Sequence, residues 1–160
     1  MRDTYTAVKA AIVMVCGILS AKLGALFPVL MLLITVMVVD YLTGMLASKK
    51  EAIEHPTDPS YGWNSKKGAL GIFKKVGYMA AITVAMVADY LTNAIGGQLG
   101  FDMPIKGIFA LLVAVWYLLN ELLSISENAG RMGAPVPDWL SRYIAVLKDK
   151  IEDTGKKDSG

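Results

Sequence analysis

The chain has 160 residues, 54% of them apolar and 19% charged, with a formal net charge of +2 and a mean hydropathy of +0.47. So small a charge, with no basic stripe interleaved with aromatic residues, gives no basis for nucleic-acid binding. A single cysteine, Cys16, excludes an internal disulfide. Charges fall in short blocks between long charge-poor runs, the pattern of a helical membrane protein; a soluble domain carries about a quarter charged residues.

Ala10 to Ala21 is apolar but bracketed by Lys9 and Lys22. It is too short to cross a bilayer unless both lysines extend their stems to the two surfaces. Counted from Tyr5 to Phe27 it makes a tilted span. A signal peptide competes with that reading, yet Leu19-Ser20-Ala21 is a poor small-x-small cleavage site, and Val15 before Cys16 fits lipoprotein processing badly. The sequence favours a retained helix over about residues 5–24, with an interfacial helix as the alternative and a packing role for Cys16.

Ala25 to Ala47 carries one charge, Asp40, in 23 residues. At ~1.5 Å per residue this covers the ~30 Å hydrocarbon core. Pro28 falls in the first turn, where its missing N–H costs little, and Ser48-Lys49-Lys50 marks a water boundary. Residues 48–75 read as a polar loop with Pro56, Pro59 and six lysines. These are Lys49, Lys50, Lys66, Lys67, Lys74 and Lys75, expected to anchor topology and bind anionic lipid. His55 has no second His or Cys nearby and reads as solvated.

A third span covers residues 76–95. Gly77, Ala81, Ala85 and Asp89 recur every four residues, a small-residue face on which helices approach closely in lipid; the plainer alternative is that alanine is simply common here. A connector with Asp102 leads to a fourth span over 105–124, entered at Lys106, with Trp116 well inside. Tyr117, Asn120, Glu121, Ser124 and Asn128 form a polar stripe on it. In lipid such groups must find partners or water.

After a Gly/Pro-rich break, Trp139, Leu140, Tyr143, Ile144, Leu147 and Ile151 make one helical face, and Arg142, Lys148, Asp149 and Lys150 the other. Asp138 is a reasonable N-cap. Residues 129–153 are therefore expected to form an amphipathic helix at the membrane surface, anchored by Trp139 and Tyr143, with packing on the central loop as the alternative. Residues 154–160 read as a disordered tail.

Basic residues near span ends favour the cytoplasmic side. Residues 48–75 hold six lysines and the chain after Ser124 six Lys/Arg, against Lys22 and Lys106 in the other two connections. Four spans with both termini inside fit this best, and Arg2 and Lys9 agree; three spans would put those two outside. The expected fold is an all-α integral membrane protein with four transmembrane helices, or three, plus the C-terminal amphipathic helix.

Asp40, Asp89 and Glu121 each fall within a span, where isolated charge is expensive. Val39-Asp40-Tyr41-Leu42-Thr43 parallels Ala88-Asp89-Tyr90-Leu91-Thr92, either an internal duplication or coincidence in a narrow alphabet. Since the two helices run in opposite directions, the two acids should lie toward opposite surfaces.

Asp40-x-x-Thr43-Gly44 closing a span resembles the opening motif of the toxin-secretion/phage-lysis holin family. So does Asn64-Ser65-Lys66-Lys67-Gly68 followed by Gly71 and Lys74-Lys75. Asp89, then Asn120-Glu121-Leu122-Leu123-Ser124-Ile125-x-Glu127-Asn128, then Gly133-x-Pro135-x-Pro137 continue the pattern in order. The insert with His55 and two prolines before Asn64 departs from it. The resemblance implies a phage or prophage protein of the bacterial inner membrane that self-assembles into timed lesions. Through these an endolysin, or in some relatives a toxin, leaves the cytoplasm as cargo without direct binding. An antiholin partner, a role as such a regulator, a small ion channel or transporter, and a signalling or structural membrane subunit are the rival readings. No nucleophile–base pair, phosphate loop or metal-ligand cluster is visible, so neither enzyme activity nor a cofactor is expected.

Overall fold

A computed structural model describes residues 2–100 and 107–157. Within them lie α1 (Arg2–Leu23), α2 (Leu26–Glu54), α3 (Ser65–Leu99), α4 (Ile108–Arg131) and α5 (Asp138–Lys157), and no strand. The first four are long and apolar enough to cross a membrane. The all-helical expectation holds. Asp102, Pro104, Ile105 and Lys106 lie outside the described residues, as do the last three of the expected tail.

The helices overrun the apolar stretches on the lysine-rich side. After Ala47, α2 continues through residues 48–54, most of which are good helix formers, helped by a Lys50–Glu54 pair four residues apart at 2.6 Å. The start of α3 is set by Asn64, which is extended and accepts the Lys67 N–H on its side chain at 2.8 Å. The loop between them is therefore only residues 55–64. His55 stacks on Tyr61 there at 4.4 Å between ring centroids. Asp58 accepts the Ser60 N–H at 2.9 Å, which holds its carboxyl below the usual aspartate range. At the other end of the chain α5 runs on to Lys157, so Thr154–Lys157 are helical rather than tail.

The core is where α2, α3 and α4 meet, built on Leu33 and Met37, on Tyr78, Ile82 and Ala85, and on Ala110 and Ala114. Their three- and four-residue spacings put one apolar stripe of each helix inward, and Ala110 and Ala114 of α4 are fully buried, allowing close approach. Outward faces stay apolar: Phe73, Val84 and Tyr90 are each about 70% exposed, a surface suited to lipid. Of these four helices α1 stands apart. It turns into α2 through Gly24, at φ +52°, packs on the core only through Leu23, and has no buried residue across its apolar stretch. The chain after Arg131 turns back and α5 lies along α4: Ile144 is buried, Lys148 Nζ sits 4.9 Å above the Trp116 ring, and Ile151 shares a cavity with Phe109 and Leu112. Sequence alone sets this helix on the membrane surface; in the structure its partner is α4, whose Phe109, Leu112 and Trp116 offer it an apolar wall.

Candidate functional site

One face of α2 carries Asp40, Gly44, Ser48 and Glu51, and one face of α4 carries Glu121, Ser124, Asn128 and Arg131. Both sets recur every three or four residues, so each forms a single stripe. The stripes face each other and are bonded in the same rising order, which makes α2 and α4 parallel neighbours. From the antiparallel α3 comes Lys75.

Lys75 Nζ donates to Asp40 Oδ2 at 2.8 Å and to Glu121 Oε2. Asn128 Nδ2 donates to Asp40 Oδ1 at 3.2 Å and to Thr43 Oγ1 at 3.3 Å. Arg131 Nη1 donates to Asn128 Oδ1 at 3.0 Å, while its Nε and Nη2 each donate to the Glu51 carboxylate at 2.7 Å. The result is a continuous polar ladder from Glu121 to Glu51. It borders a crevice of about 190 Å³, lined also by Trp63, Lys67 and Ser124.

Gly68 makes room for it, whereas at Gly44 a side-chain carbon would meet only ordinary contact. A Cβ on Gly44 would sit 3.4 Å from the Asn128 amide; one on Gly68 would come within 2.9 Å of Trp63 and 3.1 Å of the Tyr41 hydroxyl. Trp63 meets Tyr41 edge-on, ring centroids 5.4 Å apart, and so closes the loop over the crevice.

The inner end of the ladder is crowded with acids. Two carboxyl groups share the Lys75 ammonium group, with Lys74 in electrostatic reach of both. The Glu121 side chain is fully buried, and its Oε1 has no hydrogen-bond partner among the described residues. A buried acceptor left so costs about 1–3 kcal/mol, more when charged.

Asp89 does different work at the opposite end of α4. Its carboxylate accepts the N–H groups of Phe109 at 3.1 Å and Ala110 at 2.8 Å. It thus caps a helix whose own N-cap, Gly107, has no side chain to offer. Asp40 and Asp89 do lie at opposite ends of the bundle, as their helix directions require.

The other sequence-selected residues are spread out. Tyr117 stacks on Tyr78 with centroids 3.9 Å apart, and Asn120 is half-buried on α4. Of the small face on α3, Ala85 and Asp89 are buried, Ala81 borders the cavity beneath α5, and Gly77 is exposed. The buried stripe of α3 is Tyr78, Ile82, Ala85 and Asp89, turned away from Gly77. Lys49 and Lys66 are exposed, Lys67 Nζ donates to the Ser60 and Gly62 carbonyls, and Lys74 Nζ lies 5.5 Å from the Tyr78 ring centroid. Trp139 and Tyr143 are exposed on α5. Among the described residues no group of three His, Cys, Asp or Glu side chains could hold a metal.

Sequence reasoning missed the bonding role of Lys75, the Arg131–Glu51 pair and the Trp63–Tyr41–Gly68 contact. A signal for the second existed: Arg131 follows Asn128 by three residues, and Glu51 falls seven after Gly44, each extending its stripe.

The family model of the bacteriophage holin family matches residues 17–149. The chain belongs to that family. It is 34% identical to an uncharacterised protein of Halalkalibacterium halodurans over 74% of this chain and 77% of that one. It is 32% identical to an uncharacterised protein of Listeria innocua over 91% and 94% of the two chains. A probable holin of Bacillus phage phi105 is 23% identical over 47% of this chain and 56% of its own. No solved structure matches. As a family member the protein is a membrane-spanning one. The short motifs that carry its family resemblance, scattered over three helices in sequence, converge on the ladder: Asp40, Thr43 and Gly44; Lys67, Gly68, Gly71 and Lys75; Glu121, Ser124 and Asn128.

Proposed function

We propose that this protein acts as a holin without enzymatic activity: it assembles in the bacterial inner membrane and opens at a set time to release an endolysin. The observation that carries this reading is the convergence of most of the motif residues on one partly buried polar ladder inside a bundle whose outer faces are apolar. In the closed packing the polar groups satisfy one another within a chain. In the open packing they line water between chains, and the exposed acids gain hydration in place of internal pairing. Each acid that is ionised also gives the membrane potential a handle, since moving one full charge across 100 mV changes the free energy by about 2.3 kcal/mol, whereas a neutral acid feels little of it.

The test is induced expression in a bacterium with and without an endolysin. Growth should stop abruptly in both cultures, lysis should follow only with the hydrolase, and large dextrans should pass the inner membrane. Selective ion flux without dextran leakage would instead mark a channel. Glu121→Gln and Asp89→Ala are expected to shift the time of lysis; unchanged timing and extent in both would remove these acids from the switch.

A further inference from the structure

From the Arg131 end of α4, α5 runs back along its neighbour. Lys148 reaches the level of Trp116, and Ile151 and Glu152 border the cavity formed with Phe109 and Leu112, beside the Asp89 cap. Leu112 stands nineteen positions before Arg131, about 28 Å along the axis at ~1.5 Å per residue. Since α4 is long and apolar enough to cross a bilayer, α5 packed on it lies at hydrocarbon depth. The sides of α5 differ. Ile144 and Ile151 turn toward α4. Asp138, Arg142, Asp149 and Asp153, spaced by four, seven and four residues, form a stripe on the far side, and all four are exposed. At ~1.5 Å per residue that stripe is about 22 Å long, most of a ~30 Å hydrocarbon core. Beside it Trp139, Tyr143 and Val146 make an exposed apolar flank.

We propose that α5 lines the water of the assembled lesion, its charged stripe toward the lumen and Ile144 and Ile151 against α4. Lipid does not cover such a stripe, because charges at this depth need partners or water. The outer faces that the spans of an adjoining copy would bring to it are apolar, with Phe73, Val84 and Tyr90 exposed. Water is the cover that a continuous run of both signs accepts: Asp138 and Arg142 are 88% and 80% exposed and only 3.9 Å apart, so even this pair stays open to solvent. An apolar flank next to the stripe suits a helix set in a wall with water on one side. The stripe already points outward in the single chain, whereas the ladder groups reach water only when the helices repack. The inference rests on the lesion of the proposed function and adds a surface that meets its water.

The test uses the full chain with Cys16→Ser, reconstituted in vesicles of phosphatidylethanolamine and phosphatidylglycerol loaded with a fluorescent dextran. A short bis-maleimide should join Leu112→Cys to Ile151→Cys within single chains, since both residues line one cavity, and the joined protein should still release dextran. Leu112→Cys with Trp139→Cys, twelve residues nearer the start of α5, should not be joined. Arg142→Leu, Asp149→Leu and Asp153→Leu together should cut release at least about tenfold, because an apolar lumen dries, and should leave the 112–151 link intact. The polar set Arg142→Gln, Asp149→Asn and Asp153→Asn should keep most of the release. Undiminished release from the leucine set would mean that lipid covers the stripe, and a missing 112–151 link that α5 lies at the membrane surface. Either result, with the unmodified chain still releasing dextran, overturns this inference alone. A 112–151 link in a chain that releases no dextran overturns the lesion itself, and its lumen with it.

Discussion

Lys75→Met removes the ammonium group bonded to both Asp40 and Glu121. The ammonium group and the Asp40 carboxylate are 15% and 14% exposed, and Glu121 is not exposed at all. Breaking a buried pair by deleting one partner costs about 3–5 kcal/mol, because the remaining charge stays buried without compensation. Partial exposure of Asp40 places this site near the lower figure, about 3 kcal/mol. For a chain of this size 1 kcal/mol moves the midpoint by about 2–4 °C, so the expected fall is roughly 6–12 °C. Thermal unfolding of the purified protein in a mild detergent, followed by circular dichroism, measures it. Adding Glu121→Gln should restore at least half of the loss by removing the orphaned acid. Lys74→Met is the internal control. Its ammonium group lies over the Tyr78 ring, a contact worth about 0.5–1 kcal/mol at an accessible site, and acts on Glu121 and Asp40 only through space, so its midpoint should fall by no more than about 4 °C. If Lys75→Met and Lys74→Met behave alike, the ladder does not hold the bundle together.

Asp89→Ala should destabilise by about 2–3 kcal/mol, since two backbone N–H groups lose a charged acceptor, and Asp89→Asn by less; hydrogen exchange at Phe109 and Ala110 should quicken in both. Gly68→Val should cost about 1–3 kcal/mol by forcing Trp63 off Tyr41, visible as a change in tryptophan emission, whereas Gly44→Ala, at 3.4 Å from Asn128, should be tolerated. Arg131→Ala should cost less than about 1 kcal/mol, as its guanidinium is 41% exposed, and the loss should shrink further in high salt.

Helix count and helix type were legible, because each follows from the length of an apolar run, and so was the need of Asp40 and Glu121 for partners or water, which lipid does not supply. The stripe from Tyr117 to Asn128 was legible for the same reason, as helical spacing fixes a common face. Lys75 was not. In sequence it sits among six lysines at the edge of an apolar run, where anchoring to lipid is the ordinary role. What changes its role is that α3 begins at Ser65, so Lys75 enters already helical and is turned toward α2 and α4. The placement of α5 was equally hidden: its amphipathic pattern says that one face wants an apolar surface, but not whether lipid or α4 provides it. The pairing of Arg131 with Glu51 depends on α2 and α4 being parallel neighbours, a fact about topology that no local pattern contains.

The cap on α4 has a consequence for how the chain is made. A helix entering lipid with bare leading amides is poorly suited to stay there by itself. The acceptor for those amides belongs to the helix synthesised just before it. The order of synthesis therefore delivers Asp89 to the bilayer ahead of the group that depends on it, and α3 and α4 are suited to enter as one hairpin.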